Sequence, residues 1–196
     1  MRTREGGAAR APRHITPWLG LAALFVSFSG LAALWAFVSQ VAPTYGVDPH
    51  AAENVLTAAL VVSGIGGLTA ALLGDKFGRV MPLALGMGLA ICGVAALQWG
   101  HGFNPYLIGV VLTGGLWNFP IAYQMGMIAS ADERGNVAVL MPAALAVGGA
   151  LGPLLAGALL SGGGGYTPIF GLFAFTTAIG LAAFIAVERR LAQGKP

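Results

Sequence analysis

The chain has 196 residues, 57% of them hydrophobic and only 9% charged, with a formal net charge of +3. A soluble domain carries about a quarter charged residues, so this composition excludes a water-soluble fold and selects the lipid bilayer as solvent. The ten Lys and Arg residues lie in short segments between apolar runs, which excludes nucleic acid as a partner; one cysteine, Cys92, excludes an internal disulfide, and no Cys/His cluster has metal-ligand spacing or implies a cofactor.

Residues 1–15 form a basic tail with Arg2, Arg4, Arg10 and Arg13. The uncharged run 14–47 follows. It is longer than the ~7–15-residue apolar core of a signal peptide and no A-x-A site follows it, so it predicts a membrane helix over 16–40. The run 54–74 holds one more span. The runs 80–131 and 135–187 are each long enough for two spans and a turn, since one crossing takes roughly 20 residues. Gly100-His101-Gly102-Phe103-Asn104-Pro105 and Ser161-Gly162-Gly163-Gly164-Gly165 mark those turns. The expected spans are therefore 16–40, 54–74, 80–99, 106–129, 137–160 and 167–187. They make one domain over 16–187, with a second tail over 188–196.

Six spans put every Lys and Arg on one side. The first tail, Lys76 and Arg79 after the second span, Arg134 after the fourth, and Arg189, Arg190 and Lys195 in the last tail all emerge together. The other side shows Asp48, His50, Glu53 and His101 and no basic residue. Basic loops stay in the cytoplasm, so both termini are expected there, in a multi-pass protein of the plasma (bacterial inner) membrane. A miscount by one span would have mixed the two sides.

The hexapeptide Gly74-Asp75-Lys76-Phe77-Gly78-Arg79 joins the second and third spans. On one reading it is a tight turn whose charges hold it out of the lipid, where each would cost roughly 2.5–3.5 kcal/mol at mid-bilayer. Its order also resembles the cytoplasmic signature of the major facilitator superfamily, which reads Gly, three residues, Asp, Arg or Lys, any residue, Gly and two basic residues. Ala71 and Val80 depart from that signature at its first and last positions. The signature is degenerate in second halves of the family, and the uncharged fourth span lacks the Arg usual in first halves, so the resemblance is to the C-terminal half. It implies that Asp75, Lys76, Gly78 and Arg79 form a gate that latches the cytoplasmic side and breaks when the carrier opens inward. In the fifth span, Gly148, Gly152 and Pro153 resemble the family's Gly-x-x-x-Gly-Pro element. Small residues at 148, 152 and 156 share a face and allow close helix approach, as in many bundles, and Pro153 removes one backbone hydrogen bond.

The resemblance implies an all-α membrane fold of six transmembrane helices, a 3+3 inverted repeat, which is half of a carrier of roughly twelve helices. Its first and fourth helices line a central cavity. Phe28, Leu31, Trp35 and Ser39 share one face of the first; Thr113, Trp117, Ile121 and Gln124 share one face of the fourth, beside Asn118, with Pro120 bending the helix. Trp35, Trp117, Asn118, Tyr123 and Gln124 are the cavity candidates, although such side chains also bridge helices without touching a solute. No Asp, Glu, Lys or Arg lies at mid-membrane, so no coupling ion is legible.

The function expected is transport of a small organic solute by alternating access, with a second six-helix half supplied by a parallel homodimer or a heteromer. The alternatives are an accessory or assembly subunit and a truncated carrier fragment. An intramembrane serine protease is excluded, because His14, His50 and His101 all lie outside the spans and Gly-x-Ser-x-Gly is absent.

Overall fold

The structure, a computed structural model, describes residues 13–193; Arg2, Arg4, Arg10 and Lys195 lie outside them. Among the described residues, six helices are long and apolar enough to cross a membrane: α1 (Thr16–Trp35), α2 (Pro49–Leu73), α3 (Val80–Trp99), α4 (Phe103–Ala131), α5 (Ala138–Ser161) and α6 (Thr167–Gln193). Trp18 and Trp99, both exposed, sit near opposite ends of the bundle, where an indole meets the lipid headgroups.

Several helix ends differ from the sequence expectation, each for a local reason. The first helix stops at Trp35 rather than 40. Phe37 leaves helical geometry (φ −120°, ψ 1°), and a separate helical turn, Val38–Val41, leads into a 3-10 turn, Ala42–Tyr45, ended by left-handed Gly46. The second starts at Pro49 rather than 54. Asp48 caps it, its Oδ1 accepting from Ala51 N at 3.0 Å, and Pro49 supplies the fixed φ of a first turn. A charge-free criterion could not include that turn, which carries His50 and Glu53. The fourth helix runs from Phe103 to Ala131 but contains a π-helical turn, Val111–Gly115, just before Pro120. The sixth continues to Gln193, beyond 187, carrying Glu188, Arg189 and Arg190 out of the apolar layer.

α1 packs along α5 and α6 and crosses α4; α4 packs along α2 and α3; α3 meets α6. Exchanging the first three helices with the last three maps these contacts onto themselves, which is consistent with a 3+3 inverted repeat. Apolar surface gives no drive for helices to associate in lipid, so close van der Waals fit must hold them. The α1–α5 seam shows the fit: a Cβ on Gly152 would lie 2.7 Å from Ala33 N and 2.8 Å from Ala32 Cβ, and one on Gly148 3.1 Å from Ser29 Oγ. Ala156 continues the seam, fully buried, and α5 runs unbroken through Pro153.

The buried side chains form two clusters. One, around Leu34, Val38, Leu97, Tyr106 and Phe173, fills the end of the bundle that holds the α1–α2 connection. The other, around Leu24, Leu83, Met127, Ile128 and Phe184, fills the end that holds the charged loops. Ser27, Thr113, Gln124 and Thr177 line a small space near the middle of the spans, beside Met87 and Phe173, which belong to one cluster each.

Candidate functional site

At the charged end, Gly74 stops α2 with φ 51°, and Gly78 takes φ 69°, a left-handed conformation that only glycine adopts without strain. The turn they permit brings Arg79 back over Asp75. Arg79 Nε donates to Oδ1 at 3.1 Å and Nη2 to Oδ2 at 2.9 Å, the two-pronged geometry that suits guanidinium to carboxylate. The remaining prong, Nη1, donates to Ser130 Oγ at 2.6 Å, at the end of α4. α4 grips the same turn a second time, since Tyr123 OH donates to Gly74 O at 3.3 Å. The hydrogen bond to Asp75 raises the Arg79 pKa above its ordinary value, partial burial opposes this, and the charges of Asp75 and Glu188 add to the rise. Lys76 lies exposed on the turn.

The α4–α5 loop is built around Asp132. Its Oδ2 accepts from Val137 N at 2.6 Å and from Ala138 N at 2.7 Å, the start of α5. These backbone donors, Ala138 foremost, hold the carboxyl below the ordinary aspartate pKa, against an opposing effect of desolvation. A vestibule of about 1170 Å³ opens between these loops, walled by His14, Asp75, Arg79, Asp132, Arg134 and Glu188 among others. It therefore gathers the start of α1, both charged loops and the end of α6 at one end of the molecule. Glu188 Oε2 is buried there without a hydrogen-bond partner among the described residues.

The second locus is the space between the two clusters, about 50 Å³. α1 contributes Ser27, Phe28 and Leu31; α4 contributes Thr113, Trp117, Ile121 and Gln124; Met87 and Thr177 close it from α3 and α6. Phe28 and Trp117 stack at a tilt, with ring centroids 5.8 Å apart. Gln124 Nε2 points at Met87 Sδ, 3.5 Å away, a weak acceptor.

The structure thus brings Trp117 and Gln124 of the expected cavity residues together and places the others elsewhere. Asn118 Nδ2 donates to buried Ser63 Oγ at 2.7 Å, tying α4 to α2. Trp35 packs its ring against Gly114, inside the π-helical turn. Tyr123 serves the charged turn, as above. Ser39 falls beyond the break in α1. The sequence reading missed Ser130, Asp132, Thr177 and Glu188. A hydroxyl or carboxylate at a helix end carries no spacing signal, and only Asp132, six residues before Ala138 and followed by Gly135, could have been read as a loop organiser.

The Major Facilitator Superfamily model matches residues 20–196 of the chain. No curated protein matches it.

Proposed function

The chain belongs to the major facilitator superfamily, a family of membrane transporters, and on that premise we propose that this multi-pass membrane protein carries a small organic solute by alternating access as one six-helix half, corresponding to the C-terminal half of the family. The observation that carries the reading is the family match across all six spans, together with a charged turn whose guanidinium joins the α2–α3 loop to α4.

In this reading the charged end faces the cytoplasm of a plasma or bacterial inner membrane, with both termini on that side. Asp75, Gly78 and Arg79 form the gate, and Lys76 keeps the turn at the membrane surface. Moving α4 relative to the α2–α3 loop must break the Arg79–Ser130 and Tyr123–Gly74 bonds, so the gate and the cavity-lining helix move as linked parts. The second half is a parallel second copy or another six-helix half. α2 and α5 support this: each is less buried than the other four helices and presents large apolar side chains outward, Leu60, Leu68 and Leu72 on one and Leu154 and Leu155 on the other.

Cross-linking in mild detergent followed by uptake into liposomes tests the reading. Parallel dimers or heteromers that take up a solute found by thermal-shift screening are expected. A monomer competent for transport removes the half-carrier, and a correctly inserted, paired protein that transports nothing returns the chain to an accessory role.

A further inference from the structure

The mid-span cleft carries two hydrogen-bonding groups that the protein does not use. Gln124 and Thr177 are each 5% exposed. Among the described residues the only bond of the Gln124 amide is the weak one from Nε2 to Met87, which leaves Oε1 without a donor, and the Thr177 hydroxyl has no partner. Both line the cleft, from α4 and α6, together with the Phe28–Trp117 pair. Elsewhere in the same layer the hydroxyls are occupied: Ser27 Oγ donates to Ala23 O at 2.6 Å and Thr113 Oγ1 to Gly109 O at 2.7 Å. A buried polar group left open is costly, so buried groups are normally paired. An acceptor and a hydroxyl left open toward one space are therefore groups held for something that enters it.

The space limits what enters. At about 50 Å³ it holds a few water-sized groups and not a whole solute. No Asp, Glu, Lys or Arg lines it, so a charged group entering it would lose its hydration with nothing in return. We propose that this cleft, behind the Phe28–Trp117 wall, is a subsite for the uncharged, hydrogen-bonding end of a solute: a hydroxyl or carboxamide that donates to Gln124 Oε1 and bonds Thr177 Oγ1, while an apolar body rests on the two aromatic rings. The inference rests on the carrier reading for its role and names the class of solute that reading leaves open. Because the cleft lies between α1–α3 and α4–α6, occupancy also presses on the seam between the two halves of the inverted repeat.

Three probes of one shape separate charge from size: 2-phenylethanol, phenylacetate and 2-phenylethylammonium. They are titrated into the full chain in mild detergent, with tryptophan fluorescence as the readout. 2-Phenylethanol is expected to give a saturable change, and the two ions to bind at least roughly thirtyfold more weakly. Thr177→Val, which keeps shape and removes only the hydroxyl, and Gln124→Leu are each expected to weaken 2-phenylethanol roughly five- to tenfold. Gln124→Glu is expected to move the preference toward the ammonium probe. Equal affinity for either ion, unchanged affinity in Thr177→Val, or no saturable response to any probe overturns the subsite. Binding is read without transport, so failure of the reconstituted pair to take up any solute removes the carrier and leaves the subsite standing.

Discussion

The two ends of the bundle are held by different chemistry. The charged end is tied by ions: Arg79 on Asp75 and Ser130, and Asp132 on the backbone of α5. The opposite end is tied by tyrosine hydroxyls on main-chain carbonyls. Tyr106 OH donates to Val38 O at 3.1 Å, Tyr166 OH to Gln40 O at 3.0 Å, and Tyr45 OH to Leu97 O. Val38 and Gln40 belong to the helical turn that follows the break in α1, where carbonyls no longer find partners along a continuous helix. Desolvation raises the Tyr45 pKa, so this hydroxyl stays a neutral donor well above physiological pH. The contacts that join different helices therefore answer to salt and acid at one end and to neither at the other, where the Asp48 carboxylate only caps its own helix. In the gate proposed above, the end that opens is built from contacts that water and ions can replace. The other closes a break in a helix with neutral donors.

Substitutions can break or sharpen that contrast. The largest effect is expected where both ends depend on one seam. Gly152→Leu places side-chain atoms where Ala32 and Ala33 already sit, and should lower stability by about 3 kcal/mol, read as a lower thermal midpoint in detergent at any salt concentration. A midpoint within a degree of the parent would remove the seam from the account.

Tyr106→Phe should come next, at about 1 kcal/mol, because it strips the Val38 carbonyl of its buried donor. Its loss should be the same in low salt and in 1 M salt, where the screening length falls to about 3 Å. A salt-dependent loss would erase the contrast between the ends.

Asp132→Ala tests the charged end through pH. The folded-state pKa of Asp132 lies below its unfolded value, so its contribution is present above the unfolded pKa and is lost as pH falls through the folded one. Wild type should thus be more stable than Asp132→Ala at neutral pH, and the two unfolding midpoints should converge as pH falls below about 4. A difference that persists in acid would assign the effect to something other than the carboxylate.

The smallest effect on stability belongs to Asp75→Asn. The pair is open to solvent, with Asp75 64% and Arg79 26% exposed, so the cost should stay below about 1 kcal/mol and vanish at high salt. Insertion should be intact, while uptake by reconstituted protein slows. Unchanged uptake would leave the Gly74–Arg79 turn a topological device and nothing more.

Much of this architecture was legible in the residues. Six spans followed from uncharged runs because the thickness of the hydrocarbon layer and the cost of a charge within it act on the chain one segment at a time. The grouping of Asp75, Arg79 and Arg134 at one end followed from the same counting. The candidate site was legible only in part. Thr113, Trp117, Ile121 and Gln124 share a helix face, which spacing shows, and they do line the cleft. Asn118, one residue along, looked equivalent but bonds Ser63 on α2, and Tyr123 reaches the charged turn. Spacing says which residues share a face, but not which neighbour that face meets.

The sequence by itself determined the number of apolar helices long enough to cross a membrane and which charged loops share an end, since hydropathy and charge are properties of local stretches. The tertiary structure alone decided which groups meet: Arg79 with Ser130, the tyrosines with the interrupted end of α1, and Gln124 with Thr177 across a space that neither fills. Those pairings join residues far apart in the chain, and their geometry comes from how closely small residues such as Gly152 let the helices approach.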